Sequence, residues 1–324
     1  MKNLLFLSGF ILSMLIATGS SATTLPSALI DTQWLQANID NVVILDIRKD
    51  TKSFNKKPVF KKNKKTNKKK LYKVGGHIPG SRLVNYKKVR SKKIINGKKV
   101  SKMLPAKKTF EQLMQNAGIN NNDTVILVTK GQNNGDMTIA TRFYWQMKYY
   151  GHTNMAILNG GVAAWITAGK AVKTSSNKIK KGNWTSAREN KDILATSNDV
   201  AKAVASKSQL IDARSISQYL GTWKKSYVYA KGHIPGAKVY PTELLTAPKA
   251  PANFLSVKQL TALHKTMGIN TDAAAITYCN SGHLATGSWF VMSELMGNKK
   301  VKMYDGSMHQ WTLEKRPVTS MSME

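Results

Sequence analysis

Short apolar runs alternate along the chain with stretches whose apolar residues recur at helical spacing. The clearest of the strand-like runs are Val42–Ile47, Val125–Val128, Leu210–Ile211 and Ala273–Tyr278. Thr109–Ala117 and Val257–Met267 have instead the periodicity of amphipathic helices. Alternation of buried strands with helices is typical of α/β proteins, in which helices cover both faces of a mainly parallel sheet. The pattern therefore predicts an α/β fold.

Four short blocks of sequence occur twice, in the same order. They are Asp-x-Arg at 46–48 and 212–214, Gly-His-Ile-Pro-Gly at 76–80 and 232–236, Ala-Thr at 140–141 and 285–286, and a glycine turn ahead of Trp165 and Trp311. Such a repeat indicates an internal duplication. We expect two similar domains, residues 23–172 and 192–324, joined by the polar stretch 173–191, which has no sustained apolar period.

The first 22 residues have the three-part pattern of a secretory signal. One basic residue, Lys2, precedes an apolar run from Leu4 to Ala17, and small residues follow up to Ala22. The apolar run is too short to span a bilayer comfortably. We therefore expect a signal peptide over residues 1–22, a periplasmic or secreted mature protein, and no membrane insertion after the signal is removed.

The composition is strongly basic, with 50 Lys and Arg against 17 Asp and Glu and a formal net charge of +33. Such a charge attracts nucleic acids, anionic lipids and small anions. No nucleic-acid-binding motif is recognised, so no specific nucleic-acid partner is expected. The lysine-rich run Lys56–Lys73 has no counterpart in the second half, and we interpret it as an insertion in a mobile surface loop. A binding role for this run stays open.

Cys279 is the single cysteine of the chain and lies between a strand and a helix. The apolar run Ala273–Tyr278 precedes it, and an apolar helical stripe that includes Ala285 and Trp289 follows it. Backbone N–H groups at the start of a helix have no partner within the helix and stabilise anions. This position favours a reactive thiolate, whereas a lone cysteine elsewhere is usually a small buried hydrophobic residue.

The paired Asp-x-Arg strands, the paired Gly-His-Ile-Pro-Gly motifs and a cysteine loop confined to the second half resemble the tandem-domain rhodaneses, the thiosulfate and 3-mercaptopyruvate sulfurtransferases. The resemblance extends from about Asp31 to Val318. It implies two rhodanese-like domains and an enzyme that moves a sulfane sulfur from a donor to a thiophilic acceptor through a persulfide on Cys279. The first domain would be catalytically silent, because Lys130 stands near the place that matches the cysteine.

Persulfide chemistry requires N–H donors around an anionic sulfur, but no general base, cofactor or metal. The resemblance implies that Cys279 is catalytic and that its loop, together with one arginine, binds substrate. These substrate-binding residues are Asn280, Ser281, Gly282, His283, Leu284, Ala285 and Arg214. We interpret His283 as a residue that shapes the loop, His77 and His233 as structural, and Asp212 as the ion-pair partner of Arg214.

The implied partners are a small anionic sulfur donor, such as thiosulfate or 3-mercaptopyruvate, and a thiophilic acceptor; the oligomeric state stays open. Thiosulfate enzymes have cationic side chains just after the cysteine, whereas Asn280 and Ser281 are neutral, and Gln218 stands where a substrate-side arginine is expected. The loop Asn280-Ser281-Gly282 is similar to the small neutral loop of the mercaptopyruvate enzymes in part. The sequence therefore leaves the donor open.

Three other functions are compatible with parts of this sequence. A cysteine-based phosphatase requires an arginine six residues after the cysteine, where this chain has Ala285. A non-catalytic persulfide carrier or redox sensor on the same fold stays an alternative, because the loop after Cys279 is neutral. A surface-binding protein that works through Lys56–Lys73 is disfavoured, because the cysteine loop is complete.

Overall fold

The structure, a computed structural model, describes residues 23–62, 64–176 and 178–321. The predicted signal peptide lies outside these residues. Within the described ranges, no helix is long and apolar enough to cross a membrane.

The described residues of the first half form a five-stranded sheet, two hairpins and surrounding helices. The strands are β1 Leu29–Ile30, β2 Val43–Arg48, β3 Val59–Lys62, β4 Lys69–Lys73, β5 Arg82–Asn85, β6 Ser91–Ile95, β7 Lys98–Met103, β8 Val125–Val128 and β9 Met155–Leu158. The helices are α1 Thr32–Ala37, α2 Lys107–Asn116, α3 Asn134–Tyr149 and α4 Gly161–Thr167. The sheet has the order β1-β9-β8-β2-β5, and all its neighbouring strands are parallel.

The second half repeats this arrangement. Its strands are β10 Leu194–Ala195, β11 Gln209–Asp212, β12 Lys238–Val239, β13 Ala275–Tyr278 and β14 Val301–Tyr304. Its helices are α5 Ser197–Ala205, α6 Ile216–Tyr219, α7 Val257–Thr266, α8 Ala285–Phe290, which continues as a π-helix over Val291–Leu295, and α9 Ser307–Leu313. The strand order β10-β14-β13-β11-β12 is again parallel throughout. The predicted pair of similar α/β units, each with a mainly parallel sheet, is confirmed.

Each sheet is buried on both faces, as the unbroken apolar runs of its strands require. In β8, Val125 and Leu127 belong to one apolar cluster, whereas Ile126 and Val128 belong to the cluster on the other face. Successive side chains of a strand point to opposite faces, so a strand buried on both sides must be apolar at every position. The prediction that helices cover both faces is therefore confirmed.

One apolar core runs from the first half into the second. It contains Phe143 of α3 together with Trp289 and Phe290 of α8, and it includes Cys279. The Tyr144 ring meets the Phe290 ring edge to face, with 5.1 Å between their centroids. Aromatic packing of this kind buries large areas and holds the two halves together.

The lysine-rich insertion contains an antiparallel hairpin, where the sequence led us to expect a mobile surface loop. Strands β3 and β4 pair antiparallel within Lys56–Lys73, and most of their side chains are exposed. Leu71 packs against the core cluster on the outer face of the first sheet, while Phe60 and Tyr72 are exposed. The sequence pattern did not predict this hairpin, because the many lysines leave too few apolar residues to show a strand periodicity.

The stretch interpreted as a linker is packed on the first half. Trp184 is 2% exposed and lies in the core that contains Phe110. Its backbone N–H donates to the Ile119 carbonyl at 3.0 Å, and its carbonyl accepts from Gln115. The polar pattern of this stretch gives no sign of these contacts, which depend on one buried tryptophan.

Candidate active site

Cys279 follows directly after β13, at the carboxyl end of a central strand. The thiol side chain is 1% exposed, and β11 pairs alongside so that Asp212 lies opposite Tyr278. Ligands of parallel α/β sheets bind at this edge, because loops from several strands converge there. The structure thus places the single cysteine where the strand pattern predicts it.

Ser307 holds the cysteine loop in shape. Its hydroxyl accepts from the N–H groups of Cys279 and Gly282 at 3.1 and 3.0 Å, and it donates to the Tyr304 carbonyl at 2.8 Å. Ser307 has a φ of +50°, a region that side-chain-bearing residues rarely adopt. The counterpart in the first half is Gly161, with a φ of +55°. A strained serine at this point indicates that the hydroxyl matters for the loop.

The first half has the same turn without the cysteine. The Met308 N–H donates to the Cys279 carbonyl at 3.0 Å, and the Val162 N–H donates to the Thr129 carbonyl at 2.9 Å. Thr129 is therefore the counterpart of Cys279. It directly precedes Lys130, the residue that the sequence comparison of the two halves put near this position. The first half consequently presents a buried hydroxyl where the second presents a thiol.

Several N–H groups of the cysteine loop are free to bind an anion. Within the described part of the chain, those of Asn280, Ser281, His283 and Leu284 have no hydrogen-bond acceptor. Backbone donors without a partner at a buried site are costly unless a ligand satisfies them. The loop therefore has the donors that an anionic sulfur requires.

A buried ion pair from both halves lies under the loop. Arg142 Nη1 donates to Asp305 Oδ1 at 2.6 Å and to the Gly282 carbonyl at 2.8 Å. Asp305 Oδ2 accepts from the Leu104 N–H at 2.6 Å. Gly282 has a φ of +65°, and a Cβ there would meet Asp305 Oδ1 at 2.7 Å, so only glycine fits this turn. The first half thereby fixes the path of the cysteine loop.

His283 joins the same loop to the first half through both ring nitrogens. Nδ1 lies 2.5 Å from the Tyr86 hydroxyl, and Nε2 lies 3.1 Å from Thr138 Oγ1. The Thr138 hydroxyl donates to the Gly135 carbonyl, so it accepts from Nε2–H, and Nδ1 accepts from Tyr86. Burial, reinforced by nearby cations such as Arg90, holds the pKa of His283 well below its usual range. Both ring nitrogens of His283 are thus engaged with the first half, and its role as a residue that shapes the loop stays a prediction.

The other residues expected at the site have the following positions. Asn280 and Ser281 are each 5% exposed, and Asn280 Nδ2 donates to Gln218 Oε1 at 3.0 Å. Ala285 begins α8 and is buried. Arg214 is 1% exposed and donates to both Asp212 oxygens and to the Gly232 carbonyl of the second Gly-His-Ile-Pro-Gly motif. The expected ion pair is present, and the role of Arg214 towards substrate stays a prediction.

The paired histidines outside the loop have matching structural contacts. His77 stacks on Phe54 with 3.6 Å between the ring centroids, and His233 stacks on Tyr219 at 3.8 Å. Each Nδ1 bonds to the backbone carbonyl of its stacking partner. Contacts that occur equally in both halves explain why the half without the cysteine also has its histidine.

Sequence reasoning missed the contribution of the hairpin β6–β7, which reaches the second half from the first. Lys98 Nζ donates to the Leu313 carbonyl at 3.3 Å, and Lys102 Nζ lies 3.7 Å from the centre of the Tyr227 ring. The sequence does contain a signal for the turn, because Asn96-Gly97 is a favoured pair in two-residue hairpin turns. The sequence could not show that the hairpin lies beside Cys279.

No group of three or more His, Cys, Asp or Glu side chains able to hold a metal is found among the described residues. The site combines a buried thiol with the unpartnered N–H groups of the loop that follows it.

Comparison with known proteins assigns both halves to one family. The model of the rhodanese-like domain matches residues 31–168 and 196–314. The sulfur carrier protein TtuD of Thermus thermophilus is 28% identical over 298 residues, which cover 88% of this chain and 94% of TtuD. A candidate thiosulfate sulfurtransferase of Saccharopolyspora erythraea is 29% identical, with 88% and 92% covered. The solved structure of Escherichia coli SseA, a 3-mercaptopyruvate sulfotransferase with the rhodanese fold, matches with a TM-score of 0.68 at 24% identity, over 87% of this chain and 98% of SseA.

Proposed function

The chain belongs to the rhodanese family, and on that premise we propose that it is a sulfurtransferase that carries sulfur as a persulfide on Cys279. A donor such as thiosulfate or 3-mercaptopyruvate supplies the sulfane sulfur, and a thiophilic acceptor removes it. The observation that carries the proposal is the set of unpartnered N–H groups in the loop that follows a buried thiol; the Ser307 hydroxyl accepts from two further N–H groups of this loop.

The first half-reaction is a displacement at sulfur. The Cys279 thiolate attacks the outer sulfur of the donor, so that an S–S bond forms to Cys279 while the donor's bond to that sulfur breaks. With thiosulfate, the electron pair leaves on sulfite. With 3-mercaptopyruvate, the C–S electron pair and the thiol proton remain with the organic product, which becomes pyruvate. In both cases Cys279 ends as an anionic persulfide.

The second half-reaction returns the cysteine. A nucleophile such as cyanide attacks the terminal sulfur of the persulfide, leaves as thiocyanate and restores the Cys279 thiolate. Neither half-reaction requires a general base, which fits a His283 whose two nitrogens are both occupied. The proposed role of the residues Asn280 to Ala285 is to stabilise the persulfide through their backbone N–H groups.

A persulfide carrier that turns over slowly is the second candidate. TtuD is named a sulfur carrier, and the alignment covers nearly its whole length. The near-complete burial of Cys279 would protect a stored sulfur from bulk thiols. A multiple-turnover assay with excess donor and acceptor separates the two, since a carrier gives close to one product per protein.

The test of the proposal is mass spectrometry of donor-treated protein. Wild-type protein should gain the mass of one sulfur on the Cys279 peptide, and cyanide should remove it and yield thiocyanate. Cys279→Ser should remain folded and lose both signals, because a hydroxyl is neither ionised nor soft enough to accept sulfur. Turnover by the serine variant, or a wild type that gains no sulfur from either donor, would refute the proposal.

We also propose that the protein acts outside the cytoplasm, after cleavage behind Ala22. The support is the charged, apolar and small-residue pattern of residues 1–22. N-terminal sequencing of the protein purified from the periplasm and the medium tests this. A chain that still begins at Met1 in the cytoplasmic fraction would contradict it.

A further inference from the structure

The cysteine loop has no lysine or arginine of its own, yet the first half brings cations to it. Arg90 Nη1 donates to the Ser281 carbonyl at 3.4 Å. The Arg90 guanidinium and Lys49 Nζ lie 5.0 and 5.5 Å from the centre of the Tyr86 ring. Because Tyr86 is bonded to His283, both cations sit at the border of the loop that contains the thiol.

A third cation reaches the site through an irregularity in the hairpin β6–β7. The ladder shifts register next to Ser91, so that Lys102 has no partner across the hairpin. Lys102 also has a φ of +67°, which is costly for a lysine. Bulges of this kind re-aim side chains next to active sites. Here the bulge directs Lys102 over the ring of Tyr227, on the other half of the molecule.

These cations lie close together, although they repel one another. Burial comes first among the causes that lower the pKa of Lys102, and the charges of Arg90, Lys225 and Lys49 follow. Within the described residues, none of the four has an ion pair with a carboxylate. A cluster of cations that have no carboxylate partner attracts small anions to the border of the cysteine loop.

We infer that Lys49, Arg90 and Lys102 of the first half form the subsite that binds the anionic group of the sulfur donor. The inference rests on the proposed function and deepens it. It assigns as substrates those small sulfur donors that also have a carboxylate or a sulfur oxyanion in the same molecule. The half without the cysteine would thus select the donor. Its cations supply the positive charge that the loop after Cys279 lacks.

The single cysteine allows a test that does not depend on turnover. Cys279 is alkylated either with iodoacetate, which is an anion, or with iodoacetamide, its neutral analogue. Both alkylation rates are measured for wild type, Lys102→Gln, Lys49→Gln and Lys99→Gln. Lys99 lies on the same hairpin and is exposed, so its variant removes an equal charge away from the proposed subsite. The ratio of the two rates should fall roughly threefold to tenfold in Lys102→Gln and Lys49→Gln and stay unchanged in Lys99→Gln.

Steady-state kinetics then connect the subsite to the reaction. For thiosulfate and for 3-mercaptopyruvate, KM should rise in the same two variants while kcat at saturation changes little. Equal alkylation ratios in all four proteins would overturn the inference, even if persulfide forms normally. The opposite outcome is also distinguishable. If the alkylation ratio falls in the two variants but the wild-type protein never forms a persulfide, the anion subsite is supported and the proposed sulfur transfer is refuted. Circular dichroism of each variant checks that the fold is kept.

Discussion

Thr141 and Thr286 are counterparts in the two halves of the repeat, and their hydroxyl oxygens lie 3.0 Å apart. Three residues earlier, Thr138 on α3 and His283 in the loop before α8 are likewise counterparts and contact each other. Contacts between equivalent positions occur only where an axis of approximate twofold symmetry passes. The two halves therefore meet through α3 and α8, and the axis runs beside the cysteine loop.

Removing either threonine hydroxyl should weaken the contact between the halves. We expect Thr141→Val and Thr286→Val each to lower the free energy of unfolding by about 1 kcal/mol, because a buried hydroxyl then loses its partner. The loss of unfolding free energy in the double variant should be smaller than the sum of the losses in the two single variants. Urea denaturation of all four proteins measures this. Strictly additive losses would show that the two hydroxyls are not coupled.

Breaking the ion pair beneath the loop should be more costly. Arg142→Met leaves the Asp305 carboxylate buried without its cation, and we expect a loss of about 3–5 kcal/mol in the free energy of unfolding. Adding Asp305→Asn should restore part of the lost free energy of unfolding, because the buried charge without a partner is then absent. Denaturant titrations of the single and double variants test the order of stabilities. A double variant less stable than Arg142→Met would contradict the argument.

Ser307 should matter more for sulfur transfer than for folding. Ser307→Gly removes the hydroxyl but suits the left-handed backbone, as Gly161 does in the first half. We expect the free energy of unfolding to fall by no more than about 1 kcal/mol, because relief of the left-handed strain offsets part of the cost of the two N–H groups that lose their acceptor. Turnover at saturating donor should fall roughly tenfold, because the loop N–H groups lose their alignment. Unchanged turnover would mean that the hydroxyl does not position the loop.

Stability should decrease in mild acid, in part because of His283. Its pKa is well below the usual range in the folded protein, so below about pH 6.5 the unfolded chain binds more protons. The contribution is complete above that pH and is lost progressively as the pH falls. His152, His264 and His309, whose pKa values are also lowered mainly by burial, act in the same direction. Urea midpoints at pH 7.5 and pH 5.5 should differ less in His283→Asn than in wild type.

The lysine-rich hairpin should be dispensable for sulfur transfer. Replacing residues 58–73 by a short Gly-Ser linker removes mostly exposed side chains, and Leu71 is the member that packs on the core. We expect a loss of about 1–2 kcal/mol in the free energy of unfolding and an unchanged kcat. Loss of cooperative unfolding would show that the hairpin has a structural role, and a higher KM that added salt reproduces would show steering of the donor.

Much of this organisation could be predicted from the sequence, because its signals are local. The strand before Cys279, the helix after it and the paired Asp-x-Arg ion pairs each depend on residues that are close in the chain. The position of Lys102 is different in kind. Its role depends on a bulge and on Tyr227, more than a hundred residues later, so no local pattern contains it. The same holds for Ser307, whose hydroxyl bonds to a loop from another strand.

The shared core between the two halves also has a consequence for inheritance. After a duplication, a copy without the reactive group would ordinarily be free to decay or to be deleted. Here that copy supplies Tyr86 and Arg142 to the cysteine loop and covers Trp289 and Phe290. A gene shortened to residues 192–324 would encode a chain with an exposed apolar surface and an unsupported loop. Selection that preserves the function of Cys279 must therefore also preserve the first half of the chain, which lacks the cysteine.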